Sequence, residues 1–239
     1  MVRKSFSIVF KFIVFTCSVV GIVLSCLYAQ EHGYSGWERR LMYFTQMSNL
    51  WIALTFCVIA ILRCVGHSKG KKIVPKWLYV LKYIFTVSIT LTGIIFCCFL
   101  APFAETAGYL DAWATSSIFT HVVVPVLSII DHFIDDYNIV YKNTHIYLSL
   151  IPPFLYALFA SIANWCGVDF GRGDTFPYPF LNYYSDAGFF GFAQGNPPQV
   201  GVFYWLIFIS LLVLGIAWLY YYFHPRTRKE RLNDKQIKK

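Results

Sequence analysis

Charge is what this sequence has least of. Only 13% of its 239 residues are Asp, Glu, Lys or Arg, against roughly a quarter in soluble domains, which is too few to clothe a soluble surface. It also has no CxxC pair. Its seven cysteines (Cys17, Cys26, Cys57, Cys64, Cys97, Cys98 and Cys166) fall inside or at the ends of apolar runs. That excludes a zinc-ligand spacing and a disulfide framework. The cysteines read as small packing residues, and no metal or other cofactor is expected. There is no internal repeat, no low-complexity stretch, and no polar segment long enough to fold as a separate soluble domain.

What the chain has instead is six long apolar runs: Phe6 to Tyr28, Leu41 to Cys64, Trp77 to Phe103, Thr115 to Ile134, Ile146 to Cys166 and Gly201 to Phe223. Each is close to the ~20 residues a helix needs to cross a ~30 Å hydrocarbon core. The fold expected is all-α: an integral membrane bundle of six transmembrane helices over 1–223, then a basic tail over 224–239. The amino-terminal run follows a basic start like a signal peptide, but it exceeds the ~7–15 apolar residues of a cleaved one. It reads as an uncleaved first helix.

The net charge of +8 does not point to nucleic acid, because of where the charges lie. Arg3, Lys4 and Lys11 start the chain. Arg63, Lys69, Lys71, Lys72, Lys76 and Lys82 surround the second connection, Lys142 lies in the fourth, and Arg226, Arg228, Lys229, Arg231, Lys235, Lys238 and Lys239 fill the tail. The other side carries Arg39, Arg40 and Arg172 beside Glu31, Glu38, Glu105, Asp111, Asp169, Asp174 and Asp186. This is the positive-inside pattern with both termini cytoplasmic, and an even number of spans requires the termini to share a side. The tail suits anionic headgroups, at ~1 kcal/mol per residue near the surface. Trp37, Trp77, Trp113, Trp165, Tyr220, Tyr221 and Tyr222 sit near span ends, where amphipathic rings anchor.

The connections are short, a basic one at 66–76 and an acidic one at 104–114, except for 167–200. That segment is rich in Gly and Pro yet strongly aromatic, from Phe176 through Tyr184 and again at Phe189, Phe190 and Phe192. Two readings fit it: an interfacial anchor, or a lid over the bundle mouth, where irregular backbone is shielded by protein.

Polar residues inside the spans carry the functional information. Ser48 and Asn49 lie three and four residues beyond Thr45 and share its helix face. Ser117, His121, Ser128 and His132 form one stripe of the fourth helix. Counted from the span ends, Thr45 lies roughly 6 Å and His121 roughly 9 Å from the outer boundary, close enough in depth to hydrogen-bond if the two helices touch. Pro125 removes the amide that would pair with the His121 carbonyl, and Pro152 and Pro153 do the same for Leu148 and Ser149. Each feature also has a structural reading: a threonine bonded to its own backbone or bridging helices, an imidazole held by a packing partner. Asp131 lies ~15 Å beyond His121 and reads, with His132, as solvated or tethering. His32, His67, His145 and His224 read as solvated. The stripes place an outward-facing polar pocket between helices two and four, with Ser48, Asn49 and Ser117 on its walls.

The sequence Tyr43-Phe44-Thr45 opening the second helix, His121 with Pro125 in the fourth, and Tyr178-Pro179 in the last external segment together resemble the androgen-induced membrane protein family. That family includes the androgen-dependent regulator of tissue factor pathway inhibitor; the chain is closer still to the family's bacterial six-span relatives. The resemblance implies a threonine hydrolase of fatty acyl esters in a bacterial cytoplasmic membrane, with Thr45 as nucleophile and His121 as its general base. Tyr178 and the pocket residues would contact substrate, and Asn49, one turn below Thr45, is a geometric candidate for an oxyanion donor. Membrane lipids and a hydrophobic ester are then the partners. The alternative class is a non-catalytic lipid-binding or transport protein, against which stands the lack of an inverted repeat.

Overall fold

Six helices are long and apolar enough to cross a membrane: Phe6–Glu31, Phe44–Ser68, Lys76–Leu100, Thr115–Ile134, Asn143–Trp165 and Val202–Phe223, termed here the first to sixth spans. The structure is a computed structural model and describes residues 2–69, 73–102, 112–135, 139–171, 173–195 and 199–237. The acidic connection expected at 104–114 lies largely outside the described residues, as do Lys71, Lys72, Arg172 and the last two lysines of the tail. The protein is an all-α, multi-pass membrane bundle. The third span is its axis, with 67% of its apolar window buried against 22% in the sixth, and it packs on the second, fourth, fifth and sixth. The first span closes the bundle against the second and fourth. The basic tail continues the sixth span as a further helix, Pro225–Ile237.

The outward residues Leu50, Leu54, Val58, Leu155, Leu158 and Leu211 are exposed, as a lipid-facing surface requires. The cysteines belong to that outer surface rather than to the core: Cys64, Cys97, Cys98 and Cys166 are exposed and the other three half-buried. Thiols are apolar enough to face acyl chains, so the sequence pattern could not separate the two faces.

Two spans widen by a π-turn, the third at Phe96–Leu100 and the fourth at Phe119–Val123. The second has its cause in Pro125, whose missing amide releases the His121 carbonyl. Two glycines close on this bulge. A Cβ on Gly93 of the third span would lie 2.8 Å from the His121 carbonyl oxygen and 3.3 Å from Pro125. A Cβ on Gly21 of the first would lie 2.9 Å from the Thr120 side chain and 3.0 Å from Phe119. Small residues let membrane helices approach this closely. The fifth span is broken where the prolines predict, into Asn143–Leu148 and Ile151–Trp165.

Three charges expected near solvent are buried. Lys11 and Lys82 are 0% exposed and Asp131 2%. Lys11 Nζ lies 2.7 Å from Asp131 Oδ1, and Lys82 Nζ pairs with Oδ2; both ammonium groups also sit over the Phe56 ring. The cluster ties the first, third and fourth spans together, so Asp131 is a tether and not a solvated end group. His224 is likewise buried, against His132 and Tyr141. Tyr220, expected as an anchor, is also buried: its hydroxyl meets Thr90 Oγ1 at 2.7 Å and its ring stacks on His132. Neighbouring elements supply these burials, and a single helix's sequence does not record them.

Gly93→Ala and Gly21→Ala should each lower stability by about 1–3 kcal/mol in thermal melts in nanodiscs. Gly215→Ala, where a Cβ meets nothing within 4 Å, should not. Asp131→Asn, which strands buried ammonium groups, should cost about 3–5 kcal/mol in the same melts.

Candidate active site

The second span does not begin at Leu41. A separate turn, Glu38–Leu41, is followed by an extended Tyr43, and the helix starts at Phe44. Thr45 therefore lies in the first helical turn, where the residue four before it is outside the helix. Deeper threonines have that option and take it: Thr55, Thr86, Thr90, Thr92 and Thr120 each donate to the carbonyl four residues back. Thr45 instead faces the fourth span, with Oγ1 3.2 Å from His121 Nε2. Both residues are buried, at 7% and 6% exposure.

The imidazole is fixed on every side. Nδ1 lies 2.9 Å from the Ser117 carbonyl oxygen, an acceptor only, so Nδ1 carries the proton and Nε2 turns its lone pair to the threonine hydroxyl. Thr120 Oγ1 sits 3.1 Å from the same Nδ1 while donating to Ser116. Phe96, from the widened turn of the third span, stacks on the ring at 3.8 Å with a 17° tilt. No carboxylate contacts His121 among the described residues; a backbone carbonyl orients it instead.

Tyr178 completes the group. Its hydroxyl is 3.4 Å from both the Thr45 amide and Thr45 Oγ1, so it caps from outside the helix an amide that the first turn leaves orphaned. Burial pushes this phenol up from its ordinary range, which keeps it a neutral donor. The segment that delivers it is pinned to the mouth. Asp169 accepts from Ser35 Oγ at 2.8 Å and the Gly171 amide at 2.7 Å, and Tyr43 donates to the Phe170 carbonyl at 3.2 Å. Gly171, at φ +109°, lies where a Cβ would strike the Tyr34 ring, so no other residue fits. Burial works against the Asp169 carboxylate, but the Ser35 hydroxyl and the Gly171 and Gly173 amides outweigh it and hold that carboxyl below its usual range. The segment has a buried part and an exposed part. Phe170, Phe176, Tyr178 and Leu181 are buried over the bundle, whereas Tyr184, Phe190 and Phe192 are exposed beside the short hairpin of Phe192–Ala193 and Gln199–Val200.

The expected wall residues take other positions. Ser48 Oγ lies 3.0 Å from the Thr45 carbonyl and from Thr92 Oγ1. Asn49 Nδ2 donates to the Thr45 carbonyl at 2.8 Å and the Thr120 carbonyl at 3.1 Å. These donors brace the backbone under the threonine, so Asn49 has none left for an oxyanion. Ser117 contributes its carbonyl. The second and fourth spans meet directly here, through Thr45 with His121 and through Asn49 with the Thr120 carbonyl. A largely apolar cavity lies on the far side of Thr45, bounded by the second, third, fifth and sixth spans and the 178–181 turn. Thr45 and Tyr178 reach it; Ser48, Asn49 and Ser117 do not line it. Of the members that escaped the sequence reading, Phe96 and Tyr156 did so because both are aromatics in apolar runs that carry no polar periodicity.

Comparison with protein-family models, curated proteins and solved structures gave no match. The chemistry of the site therefore rests on its own geometry. In ¹⁵N-histidine NMR, the resonances assigned through loss in His121→Ala should show the Nδ1-protonated tautomer; an Nε2-protonated ring would contradict the Ser117 contact.

Proposed function

We propose that this multi-pass membrane protein hydrolyses long-chain acyl esters, with Thr45 as nucleophile and His121 as general base. The observation that carries the reading is the 3.2 Å approach of Thr45 Oγ1 to His121 Nε2 at the wall of an apolar cavity. A hydroxyl is a poor nucleophile until a base takes its proton, and the unprotonated Nε2 is placed to do so. Thr45 Oγ1 attacks the ester carbonyl as its proton passes to Nε2. Collapse of the tetrahedral adduct expels the alkoxide, which leaves with the proton from Nε2. Water then gives a proton to Nε2 and attacks the acyl-threonine, releasing acid and regenerating the hydroxyl. The Ser117 carbonyl, acting on Nδ1–H, holds the ring in the required tautomer throughout. The resemblance to the androgen-induced membrane family implies the same pair of residues and the same substrate class, acting in the outer half of a bacterial cytoplasmic membrane.

Thr45→Ala and His121→Ala should each reduce hydrolysis of a long-chain acyl ester by at least about 10²-fold while leaving the thermal melt near wild type. A fluorophosphonate probe should label wild type at Thr45 by peptide mass spectrometry. No labelling together with no turnover across a broad ester panel would leave a non-catalytic lipid-binding protein as the reading.

A further inference from the structure

Tyr156 is the unexplained residue of the cavity. Its side chain is 5% exposed, it lines the cavity beside Thr45 and Tyr178, and its buried hydroxyl completes no hydrogen bond. Leaving a buried polar group unpaired costs about 1–3 kcal/mol, and phenylalanine would fill the same place without that cost. Its ring packs among Phe44 at 5.2 Å and Tyr178 at 6.1 Å, which puts the hydroxyl at the start of the second span. There the Phe44 amide faces both tyrosine oxygens, the two hydroxyls face each other without completing a hydrogen bond, and the Thr45 amide meets Tyr178 alone, at a long 3.4 Å. The first-turn amides of this 25-residue helix lack intrahelical partners, and its amino-terminal end carries a partial positive charge. Arg40, over the Tyr43 ring at 5.2 Å, adds positive potential behind Tyr178, on which Tyr43 packs edge-on at 5.8 Å.

We propose that Tyr156, Tyr178 and the Phe44 and Thr45 amides form a binding site for the carboxylate of a long-chain fatty acid, whose chain fills the apolar cavity. The remaining walls suit such a chain: Leu91, Ile95 and Leu100 of the third span, Pro153 of the fifth, and Leu206 and Ile209 of the sixth. A neutral alcohol would satisfy only part of this donor set, whereas two carboxylate oxygens accept from all of it. The site deepens the hydrolase reading, because an acyl ester attacked at Thr45 would leave its acid product here and its tetrahedral oxygen would meet the same donors. Its ligand and its key residue are nonetheless independent of turnover.

The test uses full-length protein in nanodiscs, with [1-¹³C]palmitate as probe and hexadecanol as the uncharged comparison. Wild type and Thr45→Ala should both bind palmitate, seen as a shifted carboxyl resonance. Tyr156→Phe should weaken palmitate roughly tenfold, leave hexadecanol unchanged, and melt at or above the wild-type temperature. Palmitate binding that depends on Tyr156 in a protein without esterase activity would sustain the site and remove the hydrolase. Normal esterase activity with unaltered palmitate binding in Tyr156→Phe would overturn the site and spare the hydrolase. A lowered melting temperature with equal loss of both ligands would also overturn it, by making Tyr156 a packing residue.

Discussion

A hydroxyl and an imidazole inside a bilayer must each find a partner, and in this protein they find each other. Hydrocarbon offers no hydrogen bonds, so every polar group at that depth is either satisfied by protein or carried at a cost. Most threonines of the bundle resolve this locally by bonding to their own helix. Thr45 has no such option because its helix starts one residue earlier. His121 is turned to meet it by a backbone that Pro125 has opened into a π-turn. The pair is thus a product of two helix irregularities, one at a terminus and one in a span, brought to the same depth.

The approach of the helices makes those irregularities useful. Gly21 and Gly93 bring the first and third spans onto the two sides of the bulge, and Phe96 covers the imidazole face. Ser48 and Asn49 hold the Thr45 carbonyl from below. Nearer the termini, Lys11, Asp131 and Lys82 fasten the same three-helix unit. Asp131 is therefore occupied as a structural tether along the helix from His121, and the orienting role that an acid would play falls to the Ser117 carbonyl. A carbonyl fixes the tautomer but adds no full charge to steady an imidazolium, so in the proposed hydrolysis the burden of transition-state stabilisation would shift to the donors around the oxyanion.

The six spans were legible because bilayer thickness imposes a length and a composition on each, and both are local properties of the chain. The contact of Thr45 with His121 was legible for a related reason: a threonine at a span entrance and a histidine before a proline are costly where they stand. The cavity was not. Its walls are Leu91, Ile95, Leu206 and Ile209, which differ in no local way from leucines and isoleucines that face lipid. The stripe of Ser48, Asn49 and Ser117 marks an interface between helices, and those residues spend their polar groups on neighbouring backbone, on Thr92 and on His121 rather than on the cavity wall. Lys11 and Lys82 count in the sequence only as cytoplasmic-side charges, because their carboxylate partner Asp131 lies on a distant segment.

The balance of satisfied and unsatisfied groups distinguishes the two polar regions. Near the termini, Lys11, Lys82 and Asp131 are matched to one another and to the Phe56 ring, as a tether should be. At the opposite mouth the matching is incomplete: the Thr45 amide reaches Tyr178 only at 3.4 Å, and Tyr156 holds a buried hydroxyl with no hydrogen bond completed. A region selected for stability alone would replace that tyrosine with phenylalanine. Donors held in a largely apolar cavity beside the Thr45 hydroxyl, and left short of acceptors, suit the proposed role of meeting an acceptor that arrives from outside the chain. In the proposed reaction an acyl group would supply one, first as a carbonyl oxygen gaining charge and then as a carboxylate.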